Sequence, residues 1–358
     1  MRTSPTIAIV CSGLLAASLA GCKKKEEAKP QTGGSATSMG NSGSGGGGSG
    51  AGAAATGSAG EGSAGASATA AAGSGAGGSA AAPAPADKRV VVKDAGFLTP
   101  ESILHDAAAD VYLVANINGE PAKADDNGFI SKVSPDGKVS ELKWIDGSKP
   151  DVKLDAPKGM AISGDILWVA DITVVRKFDA KTGAPKGEVK VPGASFLNDV
   201  TAAEGGGIYV GDTGINAKFE PAGADAVYHI GKDGKVKPLV KAKDLGGPNG
   251  LAFANGSVWV VTFGSGELYE VTAKGGKGEK KAGAKLPKGQ LDGLVVKDDG
   301  ELLVSSWEGK AVYAGKPGGE WKQVLSDVEA PADIGWDTKR KVLLVPQFMA
   351  NALILLPL

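Results

Sequence analysis

One four-residue phrase recurs six times between residues 100 and 334. It reads Pro100-Glu101-Ser102-Ile103, Pro157-Lys158-Gly159-Met160, Leu197-Asn198-Asp199-Val200, Pro248-Asn249-Gly250-Leu251, Leu291-Asp292-Gly293-Leu294 and Pro331-Ala332-Asp333-Ile334. After a polar turn, each copy leads into a β-branched or aromatic run, such as Val111-Tyr112-Leu113-Val114, Ile166-Leu167-Trp168-Val169 or Val258-Trp259-Val260-Val261. Runs of this kind bounded by Gly, Asp and Asn read as buried strands. A third strand follows in most units. Turns at Asp136-Gly137, Asp233-Gly234 and Gly275-Gly276 then lead into a more polar fourth, as in Val139-Ser140-Glu141-Leu142-Lys143. The repeat is about 45 residues long, the size of a four-stranded propeller blade. The pattern therefore predicts an all-β fold over residues 88–358: a six-bladed β-propeller of four-stranded antiparallel blades. A single twisted sandwich would not produce six copies of one phrase at near-regular spacing.

The two ends of this region fit the same fold. The last unit closes on Leu353-Ile354-Leu355-Leu356 with no fourth strand after it, and Arg89-Val90-Val91-Val92-Lys93 is a strand without a blade. Pairing the two completes the sixth blade from both termini and removes an open sheet edge.

Residues 1–87 have a different character. Arg2 precedes an apolar run that ends in Leu19-Ala20-Gly21-Cys22. The run is too short to remain as a membrane-spanning helix and reads as a signal peptide. The last four residues resemble the bacterial lipobox, so residues 1–22 are expected to be a lipoprotein signal peptide. Cys22 is then the site of lipidation and the membrane anchor, and the protein is expected in the cell envelope, on the periplasmic or outer-membrane side. The second cysteine, Cys11, lies in the apolar run, so no disulfide is available to the propeller. Residues 23–87 are dominated by Gly, Ser, Ala and Thr and lack the apolar side chains needed to offset the entropy of ordering. They read as a disordered tether with a typical reach of roughly 45 Å.

The formal net charge is −1, and no basic stripe with interleaved aromatics is present, which argues against nucleic acid as a partner. Lys274, Lys277, Lys280, Lys281, Lys285 and Lys288 cluster among glycines and read as a solvated face. Asp125-Asp126-Asn127-Gly128 lacks the later glutamate of a calcium loop and reads as a hairpin turn. The glycine-rich pieces lack the Lys-Ser/Thr of a phosphate-binding loop.

Aligning the six phrases places one residue per blade around the propeller axis. That column is Glu101, Lys158, Asn198, Asn249, Asp292 and Ala332, and the next is Ser102, Gly159, Asp199, Gly250, Gly293 and Asp333. Four members of the first column offer hard oxygen ligands, two carboxylates and two amides. Such a set suits Ca²⁺, Mg²⁺ or Mn²⁺ better than softer metals. His105 and His229 lie outside both columns. A blander origin also exists for Asn249-Gly250 and Asp292-Gly293, because Asn-Gly and Asp-Gly are favoured turn dipeptides.

On Glu101, Asn198-Asp199, Pro248-Asn249-Gly250-Leu251 and Leu291-Asp292-Gly293, residues 88–358 resemble the gluconolactonase and regucalcin-type (senescence marker protein) propellers. Paraoxonases and strictosidine synthase-like proteins are more distant relatives of that family. The resemblance implies that Glu101, Asn249 and Asp292 bind a divalent metal, with Asn198 a further ligand or a substrate contact. Ca²⁺ is the favoured ion, with Mg²⁺, Mn²⁺ or Zn²⁺ the others. It further implies metal-assisted hydrolysis of a lactone or ester in a small-molecule substrate, with Asp292 or Asp199 as the base toward water. Lys158 departs from a cation site and is expected either to point away or to hold an anionic part of the substrate. The alternative expectation is a non-catalytic propeller that binds a ligand or a protein partner at the envelope. Either form is expected to be monomeric.

Overall fold

The computed structural model describes residues 88–358 except 224 and 274–276. The expectations for the signal peptide, Cys22, the tether, Lys274 and the Gly275-Gly276 turn lie outside the described residues.

The described residues form six four-stranded antiparallel sheets, and no helix occurs among them. Blade 1 runs through Pro100–Asp106, Val111–Asn116, Phe129–Val133 and Val139–Asp146. Blade 2 begins at Pro157–Ser163, blade 3 at Leu197–Ala202, blade 4 at Pro248–Ala254 and blade 5 at Leu291–Val296, each followed by three strands in chain order. Blade 6 takes Gly335–Asp337, Val342–Gln347 and Ala352–Pro357 from the C-terminal end, and its outermost strand is Val90–Val92. Val90 pairs with Leu355 and Val92 with Leu353, so the expected clasp between the termini is present.

The core is divided into six seams rather than one centre. Each seam is a cluster shared by two neighbouring blades, with blades 1 and 2 joined by residues such as Leu113, Ile130, Met160 and Leu167. The ring closes between blades 6 and 1 through Ile103, Tyr112, Val114, Leu344 and Leu353. Strands buried on both faces explain why the second strand of each unit reads as a nearly continuous apolar run.

The first strands of neighbouring blades lie side by side around the axis. In blades 1 to 5 the recurring phrase coincides with a shift in register against the second strand: between Pro100 and Ser102, Pro157 and Met160, Leu197 and Val200, Pro248 and Leu251, and Leu291 and Leu294. Each shift leaves one extra residue on the first strand. A bulge of this kind re-aims side chains away from the regular alternation. Asn249-Gly250 and Asp292-Gly293 are therefore bulged strand residues, not turns.

Glycine in the second column has a packing cause. A Cβ on Gly250 would lie 2.2 Å from the Asp292 carbonyl oxygen, one on Gly293 2.2 Å from the Ile334 amide nitrogen, and one on Gly159 2.2 Å from Asp199 Oδ1. Neighbouring first strands approach too closely at these points for any side chain.

Candidate functional site

The bulges deliver the first column to the floor of one cavity of about 360 Å³. Glu101, Lys158, Asn198, Asn249 and Asp292 all line it. The sixth member, Ala332, is buried and presents no polar side-chain atom.

Four oxygens on this floor are buried and have no hydrogen-bond partner: Glu101 Oε2, Asn198 Oδ1, Asn249 Oδ1 and Asp292 Oδ1. Buried acceptors are nearly always satisfied, so an unsatisfied set on one cavity floor calls for an explanation. Asn198 donates Nδ2 to Thr213 Oγ1 at 3.3 Å, which leaves Oδ1 as its free end. The four residues are the same oxygen set that the sequence column brings together. Among the described residues, no three His, Cys, Asp or Glu side chains group to hold a metal by themselves. A cation on this floor would need the two amides as well as the two carboxylates.

The electrostatics point the same way. Burial raises the Glu101 carboxyl well above the usual range, and the neighbouring Asp292, Asp333 and Asp199 add to the rise, while Lys158 opposes it. Burial likewise raises Asp292, with Asp333 adding to it and the Trp307 indole opposing it. The floor thus gathers carboxyl groups with too little positive charge to balance them. A divalent cation bound by hard oxygen ligands would supply that balance.

Lys158 is buried, and it does not reach into the cavity as a free cation. Its Nζ donates to the Pro121 carbonyl at 2.9 Å and the Ala156 carbonyl at 3.0 Å, and lies 4.5 Å from the centre of the Phe196 ring. Burial lowers its pKa, against the opposing pull of Glu101, Asp171 and Asp155.

Asp199 is placed elsewhere. At the bulge, Asn198 reaches the floor of the first cavity while Asp199 lines a second one of about 330 Å³. Both Asp199 oxygens are occupied, Oδ1 by the Val200 amide and Oδ2 by the Leu251 amide, each at 2.6 Å. Asp333, the other carboxyl in that column, accepts from Ser102 Oγ at 2.7 Å and is pushed up to about 7 by burial. The pair ties blades 1, 3, 4 and 6 together across the axis.

The cavity also has a wall that the phrase does not supply. Phe263, Trp307 and Phe348 line it, each one residue past the end of its blade's second strand. Ile117 and Thr213 hold the same position in blades 1 and 3. The backbone repeats with them: each of these five residues donates its amide to the carbonyl of a residue just before the phrase, for example Trp307 to Gln290 at 3.0 Å and Thr213 to Phe196 at 2.9 Å. Asn118 and Asn127, from the long loop between the second and third strands of blade 1, complete part of the rim.

The described residues thus form an all-β propeller of six blades with an oxygen-lined cavity floor at its axis. A family model described as the SMP-30/gluconolactonase/LRE-like region matches residues 137–336, and the chain belongs to that family. No curated protein matches the chain by sequence. Among solved structures, a gluconolactonase from Xanthomonas campestris is similar at 20% identity with a TM-score of 0.61, over 75% of this chain and 89% of that one. A calcium-binding regucalcin from Agrobacterium tumefaciens is similar at 18% identity with a TM-score of 0.55, over 73% and 90%. Virginiamycin B lyase from Staphylococcus aureus shares the fold at 16% identity with a TM-score of 0.53, over 76% and 99%. At these identities the likeness is one of fold, and the last case shows that the fold also carries other chemistry.

Proposed function

We propose that this protein is a lactonase-type hydrolase that depends on a divalent cation, with Ca²⁺ the favoured ion. The observation that carries this reading is the set of four unpartnered buried oxygens on one cavity floor. Family membership supports the same reaction class.

Glu101, Asn198, Asn249 and Asp292 would hold the ion. When bound there, it would polarise a lactone or ester carbonyl and stabilise the negative charge that develops on its oxygen. Asp292 would hold the ion through Oδ1, and its second carboxylate oxygen would be the one to take a proton from an incoming water. Both oxygens of Asp199 already accept backbone amides, so its part is to hold the first strands of blades 3 and 4 in place beneath the site. Asn198 can also orient the substrate, its amide being held by Thr213. Lys158 is positioned by two carbonyls and contributes a positive charge beside Glu101 rather than a mobile hook for an anion.

Stripping the protein with a chelator should abolish lactone hydrolysis, and Ca²⁺ should restore it. Asp292→Asn and Asn249→Ala should each lower kcat/KM by about a hundredfold or more and reduce the bound metal found by elemental analysis. Chelator-resistant hydrolysis, or full activity in both variants, would sink the reading.

For the chain outside the propeller, we propose lipidation at Cys22 and attachment to an envelope membrane, supported by Leu19-Ala20-Gly21-Cys22. Cys22→Ala should move the protein from the membrane fraction to the soluble one. A variant that remains membrane-bound with unchanged processing would refute it.

A further inference from the structure

The floor and the wall of the first cavity differ in chemistry, and the difference bears on substrate. The wall is aromatic. Phe263, Trp307 and Phe348, from three successive blades, form a continuous chain of rings: Phe263 and Trp307 are 5.5 Å apart at 83°, and Trp307 and Phe348 are 5.3 Å apart at 53°. Blade 3 and its loop add Phe196 and Phe219, 6.1 Å apart at 61°. All except Phe196 are only partly buried, so they keep ring surface that a ligand can cover.

Several polar groups around this wall each commit an atom to the protein. Asn118 Nδ2 donates to the Asn127 carbonyl at 2.9 Å, and Asn351 Oδ1 accepts the Thr99 amide at 2.7 Å. Thr213 Oγ1 donates to the Pro248 carbonyl at 2.8 Å, and Lys123 pairs with Asp125 at 3.1 Å. Both lysines of the lining are engaged, and the lining contains no arginine. A sugar lactone brings several hydroxyls, each of which loses water and needs a partner on entering. Of the buried acceptors on this wall Asn127 Oδ1 is open, and groups such as the Glu120 carboxylate lie out on the solvent-exposed rim. Trp307 Nε1 is buried beside Asp292, whose carboxyl it stabilises, so it too is turned toward the protein.

We propose that the cavity selects aromatic lactones or aryl esters over polyhydroxylated sugar lactones, seating the aromatic ring against Phe263, Trp307 and Phe348 with the ester group over the four-oxygen floor. The selection rests on the hydrolase reading above. The ring-binding part does not, and it can be measured without turnover. Covering one aromatic ring with such a wall corresponds to about ten- to a hundredfold in affinity.

The test uses the full-length protein with dihydrocoumarin and gluconolactone as paired substrates. It adds chroman, which has the fused ring but no ester, as a binding probe for the chelated protein, followed by tryptophan fluorescence and ligand-observed NMR. The expected result is a kcat/KM for dihydrocoumarin at least about tenfold above that for gluconolactone. Chroman should bind, with affinity about tenfold weaker in Trp307→Ala and Phe348→Ala and largely retained in Trp307→Phe. Gluconolactone turned over as well as dihydrocoumarin, or no binding of chroman to the wild type, overturns the proposal while leaving the hydrolase reading intact. If neither lactone is hydrolysed and chroman still binds in a Trp307-dependent way, the aromatic site stands and the hydrolase reading is the one that fails.

Discussion

At the scale of single residues, the site is made by what the second column lacks as much as by what the first supplies. Gly159, Gly250 and Gly293 let adjacent first strands meet backbone to backbone, and that approach sets the diameter of the floor on which Asn249 and Asp292 stand. Gly250→Ala would force a methyl group within 2.2 Å of the Asp292 carbonyl, a rigid backbone atom that cannot swing aside. The strands must separate, at a cost of about 2–3 kcal/mol for overpacking of this kind. Asn249 and Asp292, on either side of the contact, move with them. Denaturant unfolding should show the loss, and metal titration should show weaker binding in molecules that remain folded. Gly164 is the control: its φ is +66° and the space around it is open, so Gly164→Ala carries only the left-handed backbone penalty of about 1–2 kcal/mol. Metal binding there should be unchanged. Equal effects of the two substitutions on metal affinity would remove the packing account of the glycine column.

At the scale of the strand, the phrase is held from behind by the end of the second strand. Asp212 is fully buried, and its carboxylate accepts from the Ser195 amide at 3.0 Å, the Ser195 hydroxyl at 3.0 Å, the Phe196 amide at 2.9 Å and the Gly214 amide at 3.1 Å. Asp171 does the same for the Asp155 and Ala156 amides, and Asn116 for the Leu98 amide. Asp212→Ala should therefore cost about 3 kcal/mol through buried donors left without a partner. It should also raise KM, because Asn198 begins two residues after Phe196. Unaltered stability with normal kinetics would show that the loop is held by other means. The same strand ends mark what could be read from the chain. The phrase was legible because its spacing repeats, and so were the blade count, the clasp and four oxygen residues of the floor. The aromatic wall was not, although its register is equally regular: Ile117, Ile172, Thr213, Phe263, Trp307 and Phe348 each follow a second strand by one residue. Their side chains vary in type, so no phrase announces them, and only alignment on the strand ends exposes the column. Asn127 and Phe219 sit in loops of unequal length, where no period exists to follow. The strand-or-turn status of Asn249-Gly250 was undecidable from residue type, since a bulge and a tight turn both favour glycine.

At the scale of the whole molecule, a ring is only as stable as its closing seam, and here that seam combines the terminal clasp with a polar cluster between blades 6 and 1. Asp337, fully buried on blade 6, accepts from the Tyr112 hydroxyl of blade 1 at 2.8 Å and from Arg340 Nη1 at 2.9 Å, while its other oxygen accepts the Lys339 and Arg340 amides at 2.9 Å. Arg340 also pairs with Asp110 of blade 1, and His105 stands 3.6 Å from both Asp337 and Asp110. Burial alone would raise the Asp337 carboxyl, but hydrogen bonds from Arg340 and Tyr112, with His105 adding charge, hold it below its ordinary value of 3.8. A carboxyl depressed in the folded state stabilises fully above its unfolded pKa, and that contribution is lost as pH falls through the folded value. At neutral pH, Asp337→Asn should lower the unfolding free energy by about 3 kcal/mol, the usual cost of breaking a buried charged network from one side. The difference between wild type and variant should then narrow as the pH drops below about 4, because protonation removes from the wild type the same charge that the variant already lacks. Denaturant unfolding of both proteins across that range measures it. A gap that stays constant down to acid unfolding would mean that the seam is held by the apolar contacts of Tyr112, Leu344 and Leu353 and by the strand pairing of the termini, with the polar cluster adding nothing that depends on charge.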